Sequence, residues 1–456
     1  MTSVLNRRLL LSGSNLALIV ICVLLSACNT QKELKDVSPV IDPNVPTVYN
    51  PSTGEYEPVQ DPAALVDTVK WVENPTAGPP IGAAVAAPGG KKEVYDVGIL
   101  IPLKSDNIDF TGRIGAKARR FLNYYGGVKI ALQDLAKDGI LINATIHDTH
   151  ESVDDVEDQL ASLKNADAII GPYNRNCLVK AAKFAGDHKV PVFSPWTPSL
   201  KIKEESDYFV QIVPGLATHA DVAMQYASEN FDSAKFFLVA TPENKDESRM
   251  TLYQDAYSKY NPGKEPLEKL VLDEASVVPD SKDLTTIYVP DVLNVFVMPY
   301  YQRADEDFVN DVIRKVHAEH GDVEVAVIGL PQWMNFRNMN PDHLEDLNTL
   351  ITAVQFVDNT DAKIQNFNER FYVKYGSIPE PAAWQGYELM KYIGESLNKY
   401  GSGFLTDISD EINADFRIRP VYAGVPRPEQ QNKIQYFENK GVEVLLFVNQ
   451  QFHRKE

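Results

Sequence analysis

From Val94 onward, short apolar runs alternate with stretches of helical periodicity, and no other pattern in the chain restricts the fold as tightly. Tyr95–Pro102 reads as an apolar strand ended by proline. A helix is expected over 123–138, where Tyr125, Val128, Leu132 and Leu135 recur at helical spacing. Strand 141–147, helix 152–164, strand 166–170, helix 176–186 and strand 190–193 follow. After Pro214 the alternation restarts, with helix 218–230, strand 235–240, helix 245–260, strand 267–272, strand 292–298, helix 305–320 and strand 323–329. Apolar strands separated by amphipathic helices need a parallel sheet covered on both faces. The restart predicts a second sheet of the same kind. Ile434 to Phe452 reads as a hairpin turned at Asn439-Lys440-Gly441.

Upstream of Val94 the texture is different. Ten of the 29 prolines fall between residues 29 and 93, ending in the small-residue tract from Gly82 to Gly90, which predicts a disordered linker. As a flexible coil it reaches roughly 45 Å. Before it, Arg7 and Arg8 precede a short apolar run, Leu16–Leu25, with the form of a signal peptide and too few residues for a membrane span. Leu25-Ser26-Ala27-Cys28 resembles the lipobox of bacterial lipoproteins, which implies cleavage before Cys28 and acylation of its thiol. Several acyl chains together anchor a protein stably in a bilayer. By the same resemblance, Asn29 after the lipidated cysteine favours the outer membrane, facing the periplasm, with the cell surface as the alternative.

Composition narrows the function. Among 456 residues, 63 acids oppose 44 bases, a net charge of −19, which argues against nucleic-acid binding. Of three cysteines, Cys22 leaves with the signal and Cys28 is acylated, so only Cys177 remains as a thiol and no internal disulfide is expected.

The succession after Val94 resembles a type I periplasmic binding protein, the bilobed family of leucine-type solute-binding proteins. Its markers are Tyr95–Leu103, Phe121–Leu132 (FLNYYGGVKIAL), Ile146–Thr149, Ala168–Pro172, Val190–Pro195 and Asp207–Pro214. Late in the chain come Phe367–Tyr375, Pro379 and Trp384–Glu388. The first-helix motif most resembles Bacteroidetes envelope lipoproteins of this fold. The resemblance implies an α/β fold of two doubly wound parallel-sheet lobes joined by a hinge. The division drawn from it is signal 1–27, linker 28–93, lobe 1 in 94–215 and 376–405, and lobe 2 in 216–375 and 406–456.

Ligands of open parallel sheets lie beyond the carboxyl ends of the strands. The loops there supply Lys104, Tyr173, Asn174, Arg175, Asn176, Trp196, Thr197, Glu243, Asn244, Tyr300, Tyr301, Gln332 and Trp333, and the late helix supplies Trp384. Arg175 could grip a carboxylate at a helix start, and Trp196 and Trp333 could form stacking walls. The family places small hydroxyl residues after its third and fourth strands. This chain has Tyr173-Asn174-Arg175-Asn176 and Pro195-Trp196-Thr197-Pro198 instead.

Other constellations are weaker. His147-Asp148-Thr149-His150-Glu151 has metal-ligand residue types but fits the end of a strand. His317 and His320 share a predicted helix face without a third ligand nearby in sequence, so they read as exposed. With no phosphate loop or nucleophile elbow, neither an enzyme, a cofactor nor a metal is expected. Two functions remain. One is a lipoprotein binding a small amino-acid-like or peptide-like ligand for ABC-type uptake or sensing. The other is an envelope lipoprotein that binds and regulates a cell-wall-synthesis or other envelope protein.

Overall fold

The computed structural model describes residues 47–50, 55–58, 90–104, 114–196, 206–231, 233–242, 247–273, 277, 283–354, 356–407, 422–427 and 430–455. Two units divide the chain, residues 1–83 and 84–456. In the first, β1 (Thr47–Asn50) and β2 (Glu55–Pro58) pair antiparallel. The segment expected to be linker throughout therefore holds a small hairpin.

The second unit opens with β3 (Val94–Ile101), α1 (Ala116–Lys137), β4 (Leu141–Asp148), α2 (Val153–Ser162), β5 (Ala168–Ile170), α3 (Arg175–His188), β6 (Val192–Ser194) and β7 (Phe209–Gln211). It continues through α4 (Leu216–Asn230), β8 (Lys235–Ala240), α5 (Glu247–Tyr260), β9 (Glu268–Val271), β10 (Asn294–Val297), α6 (Glu306–Glu319), β11 (Val325–Gly329), α7 (Pro341–Asp346) and β12 (Leu350–Ala353). Last come α8 (Ala362–Tyr375), α9 (Pro381–Tyr400), β13 (Tyr422–Arg427), β14 (Gln430–Asn439), β15 (Glu443–Val448) and β16 (Gln451–Arg454).

These strands form two seven-stranded sheets, ordered β13-β14-β7-β6-β5-β3-β4 and β16-β15-β12-β11-β10-β8-β9. Within the first sheet β4, β3, β5, β6, β7 and β14 run parallel. In the second, β9, β8, β10, β11 and β12 do. Burial follows position. Central strands β5, β6 and β10 are buried at every residue, whereas edge strand β4 alternates and leaves Leu141 47% exposed. One face of the first sheet packs on α1 and α9, the other on α2 and α3.

Three sequence assignments are corrected here. The expected hairpin at Asn439-Lys440-Gly441 does not form. β14 lies parallel to β7 in the first sheet and β15 antiparallel to β12 in the second. The turn residues instead carry the chain from one lobe to the other. Strand 430–439 thus belongs to lobe 1, although 406–456 was assigned to lobe 2. Helix α8 also sits on lobe 1, because Phe367 and Phe371 bury against Ile130 of α1 and Ala383 of α9. Arg370 grips Asp134 of α1 with both nitrogens, at 2.9 and 2.7 Å.

Three crossings thus join the lobes, at 212–215, 354–361 and 440–442. Buried Glu438 ties the first to the third. It accepts from Gln211 Nε2 (3.3 Å), Gly215 N (2.6 Å) and Thr218 Oγ1 (3.2 Å), and pairs with Lys440. Asn439 Nδ2 donates to the Ile212 carbonyl at 3.1 Å. In α4, buried His219 Nδ1 meets Thr352 Oγ1 of β12 at 2.9 Å, and burial pulls its pKa down to about 4.

Candidate functional site

The carboxyl ends of β3, β4, β5 and β6 form one edge of lobe 1. After β3, Lys104 adopts a left-handed backbone (φ 52°) and its ammonium pairs with Glu151 at 2.7 Å. Lys117, on the first turn of α1, pairs with the same carboxylate. Burial pushes the Glu151 carboxyl up, but hydrogen bonds from both lysines outweigh it and hold the pKa below the usual range. Two ammonium groups on one carboxylate leave the cluster one positive charge in excess. Lys117 Nζ also lies 5.0 Å from the centre of the Tyr173 ring, in cation–π range.

Tyr173 belongs to an aromatic wall. Its ring is 5.1 Å from Phe121 and 6.0 Å from Trp196, while Trp196 meets Phe121 at 5.1 Å and Tyr124 at 4.8 Å, all edge to face. The Trp196 indole Nε1 is buried without a hydrogen-bond partner among the described residues. Asn174 caps α3 by accepting from Asn176 N at 2.9 Å. Arg175, the first residue of that helix, is exposed and makes no ion pair with a described residue. Cys177 is fully buried, its thiol 3.6 Å from the Ser152 carbonyl, and burial raises its pKa away from a reactive thiolate.

Lobe 2 treats its predicted residues differently. Tyr300 and Trp333 are buried, 2% and 3% exposed, and Trp333 Nε1 donates to the Tyr300 carbonyl at 2.8 Å. Both are packed into the interior of the lobe. Tyr301 and exposed Gln332 lie beside them. Arg249, not singled out from the sequence, stacks over Tyr300 and Tyr301 at 5.8 and 5.1 Å and reaches Asp305 at 3.5 Å. Trp384 packs among the lobe-1 helices, 5.0 Å from Phe367 and 5.3 Å from Tyr387. Cys28, Thr197, Glu243 and Asn244 fall outside the described residues.

Lys104, Tyr173, Asn174, Arg175 and Trp196 therefore share one sheet edge, as the loop argument predicts, whereas Tyr300, Trp333 and Trp384 do not join them. Lys117 and Glu151 were missed as members of this site. Lys117 lies on a helical turn upstream of the predicted start at 123, and Glu151 was weighed only within a metal-type run.

A family model described as the receptor family ligand binding region matches residues 124–264. Among solved structures, a branched-chain amino acid ABC transporter protein from Rhodospirillum rubrum superposes with a TM-score of 0.56. It shares 13% identity, with 79% of this chain and 100% of that one covered. An ABC transporter substrate-binding protein from Desulfitobacterium hafniense, in complex with Leu, gives 0.48 at 13% identity, covering 79% and 100%. Full-length LpoA from Haemophilus influenzae gives 0.49 at 9% identity, covering 80% of this chain and 60% of that one. A search of the curated proteins returns no match. At such identities the likeness establishes the fold, that of the type I periplasmic binding proteins.

Proposed function

We propose that this chain is a ligand-binding lipoprotein of the bacterial cell envelope. In this reading lobe 1 holds the anionic end of a small amino-acid-like or peptide-like molecule, for uptake or sensing. One observation carries it. On a chain of net charge −19, the carboxyl edge of the first sheet gathers Lys104, Lys117 and Arg175 beside a fixed aromatic wall; both lysines share the Glu151 carboxylate, and no described residue forms an ion pair with Arg175. An excess cation beside aromatic faces suits a carboxylate with an apolar side group. The branched-chain amino acid transporter protein from Rhodospirillum rubrum, which shares the fold, is in keeping with this reading.

Arg175 makes the first contact, since no described residue occupies its guanidinium in an ion pair and it can form a bidentate one. Lys117 and Tyr173 face the neighbouring part of the ligand. Trp196 is held by three rings and works as a rigid wall. Closure of lobe 2 over this edge would exclude water from the pair. No bond is broken in this scheme, so the chain binds and does not catalyse. The lipobox at Cys28 anchors it to the outer membrane, facing the periplasm. Labelling with a radioactive fatty acid that disappears in Cys28→Ser supports that anchor, and undiminished labelling removes it.

Native mass spectrometry tests the binding role. Protein purified without denaturation and offered pooled amino acids and short peptides should carry one small molecule per chain, released on denaturation and absent from Arg175→Ala. A bare mass under every pool would reject the reading.

A second reading has its own observation. The end of α8 and the following loop expose Tyr372 (56%), Val373 (79%) and Ile378 (81%), close in sequence and apolar. Such a patch suits an envelope protein partner, and a long proline-rich tether would give it reach. Crosslinking from position 373 in membranes, against Arg175→Ala as control, separates the two.

A further inference from the structure

The last turn of α6 carries His317 and its C-cap is His320, one turn apart on the same face. From the sequence they lacked a third ligand. The fold supplies it 26 residues later: Asn340 caps α7, Pro341 opens it, and its last residue is Asp346. Asp346 Oδ2 lies 2.8 Å from His317 Nδ1 and 2.9 Å from His320 Nε2. All three potential ligand atoms fall within 4.8 Å of one another.

The tautomer of His320 is informative. Its Nδ1 is 3.1 Å from the Val323 carbonyl oxygen, which can only accept, so Nδ1 holds the proton. In a neutral ring Nε2 then turns a lone pair toward a carboxylate oxygen. A divalent cation held between these ring nitrogens and the carboxylate oxygen would be shared by all three groups. The same oxygen faces both rings, and His317 stacks on a third histidine, His343, with centroids 4.0 Å apart and planes 22° from parallel. A backbone carbonyl orienting one ring nitrogen while the other faces the metal is the usual arrangement of histidine ligands.

We propose that His317, His320 and Asp346 form a divalent transition-metal site of the zinc class on lobe 2. Two imidazoles and one carboxylate match zinc, and oxygen-seeking magnesium or calcium does not. Zinc bonds of about 2.0–2.2 Å in tetrahedral array place ligand atoms roughly 3.3 Å apart. Small rotations of the three side chains open the present spacing to that value. Asp346 and His317 are 43% and 36% exposed at their side chains, so the fourth position opens to solvent and the ion exchanges. The site lies beside Val323, just before β11 begins. That is the end of the second sheet opposite its carboxyl edge, so it is separate from the ligand edge and fastens α7 to α6.

The test uses the full chain, stripped with chelator and dialysed against zinc, with metal content measured by plasma mass spectrometry. One zinc per chain is expected. His317→Asn and His320→Asn should each weaken binding by at least about tenfold, with circular dichroism confirming that the apo variants fold. Cobalt substitution of the unaltered chain is read independently of any variant and should give the visible bands of a four-coordinate ion. Substoichiometric zinc, an octahedral cobalt spectrum, or uptake unchanged in both variants would overturn the proposal.

Discussion

Arg175 and Trp196 stand at the same sheet edge but do different work. The arginine is exposed and forms no ion pair with a described residue, so Arg175→Ala should leave stability within about 0.5 kcal/mol and abolish ligand binding. Trp196 is held by Phe121, Tyr124 and Tyr173. Its replacement by alanine should cost about 3 kcal/mol, read from the denaturant midpoint, besides weakening the ligand. His219 makes a pH prediction. Its pKa is about 4 in the folded chain because burial disfavours the imidazolium. An unfolded histidine takes up its proton near pH 6.5. Between those values the unfolded state binds the extra proton, so stability is full above about pH 6.5 and falls as the pH drops toward 4. The loss approaches about 3 kcal/mol. His219→Gln should flatten this part of the stability–pH curve, and an unchanged curve would contradict the assignment. The residue types at the sheet edge were legible, because a loop after a parallel strand is a fixed address. Which of them turn inward was not. Trp333 reads like Trp196 in sequence, yet its indole is tied to the Tyr300 carbonyl.

At the scale of elements, the glycines inside α1 and α9 have a physical cause. A Cβ on Gly127 would stand 1.7 Å from the Ala383 carbonyl oxygen, and one on Gly386 would stand 2.2 Å from that of Tyr124. The two helices meet backbone to backbone, which only glycine allows at those positions. Gly127→Ala should therefore destabilise by about 3 kcal/mol, measured by chemical denaturation, though alanine is the better helix former. Apart from β7, which was seen only as part of the Asp207–Pro214 marker, the strand–helix succession from 94 to 329 was legible because period and burial agree there. β12 was not, since Leu350-Ile351-Thr352-Ala353 is too short to show a period. The false hairpin at 439–441 arose because a turn between apolar strands looks alike whether both strands join one sheet or two. Only the pairing of Phe437 with Val210 and of Leu445 with Ile351 separates the cases.

For the whole molecule, the three crossings define how one lobe moves against the other. Glu438 gathers Gln211, Gly215, Thr218 and Lys440 at two of them. Glu438→Ala leaves those donors unsatisfied and should cost about 2 kcal/mol. The two-lobed plan was visible in the restart after Pro214. The lobe membership of α8 was not, because it rests on Asp134 and Ile130, more than two hundred residues earlier in the chain. The central claim is that the cationic, aromatic edge of lobe 1 receives a small anionic ligand. A thermal-shift panel of amino acids, short peptides, nucleosides, sugars and cell-wall fragments addresses it directly. A ligand at a thousand times its Kd adds about 4 kcal/mol, so one carboxylate-bearing class should raise the Tm of the wild-type chain and leave Arg175→Ala unmoved. An unchanged Tm across the panel, or a shift that persists in Arg175→Ala, would contradict it.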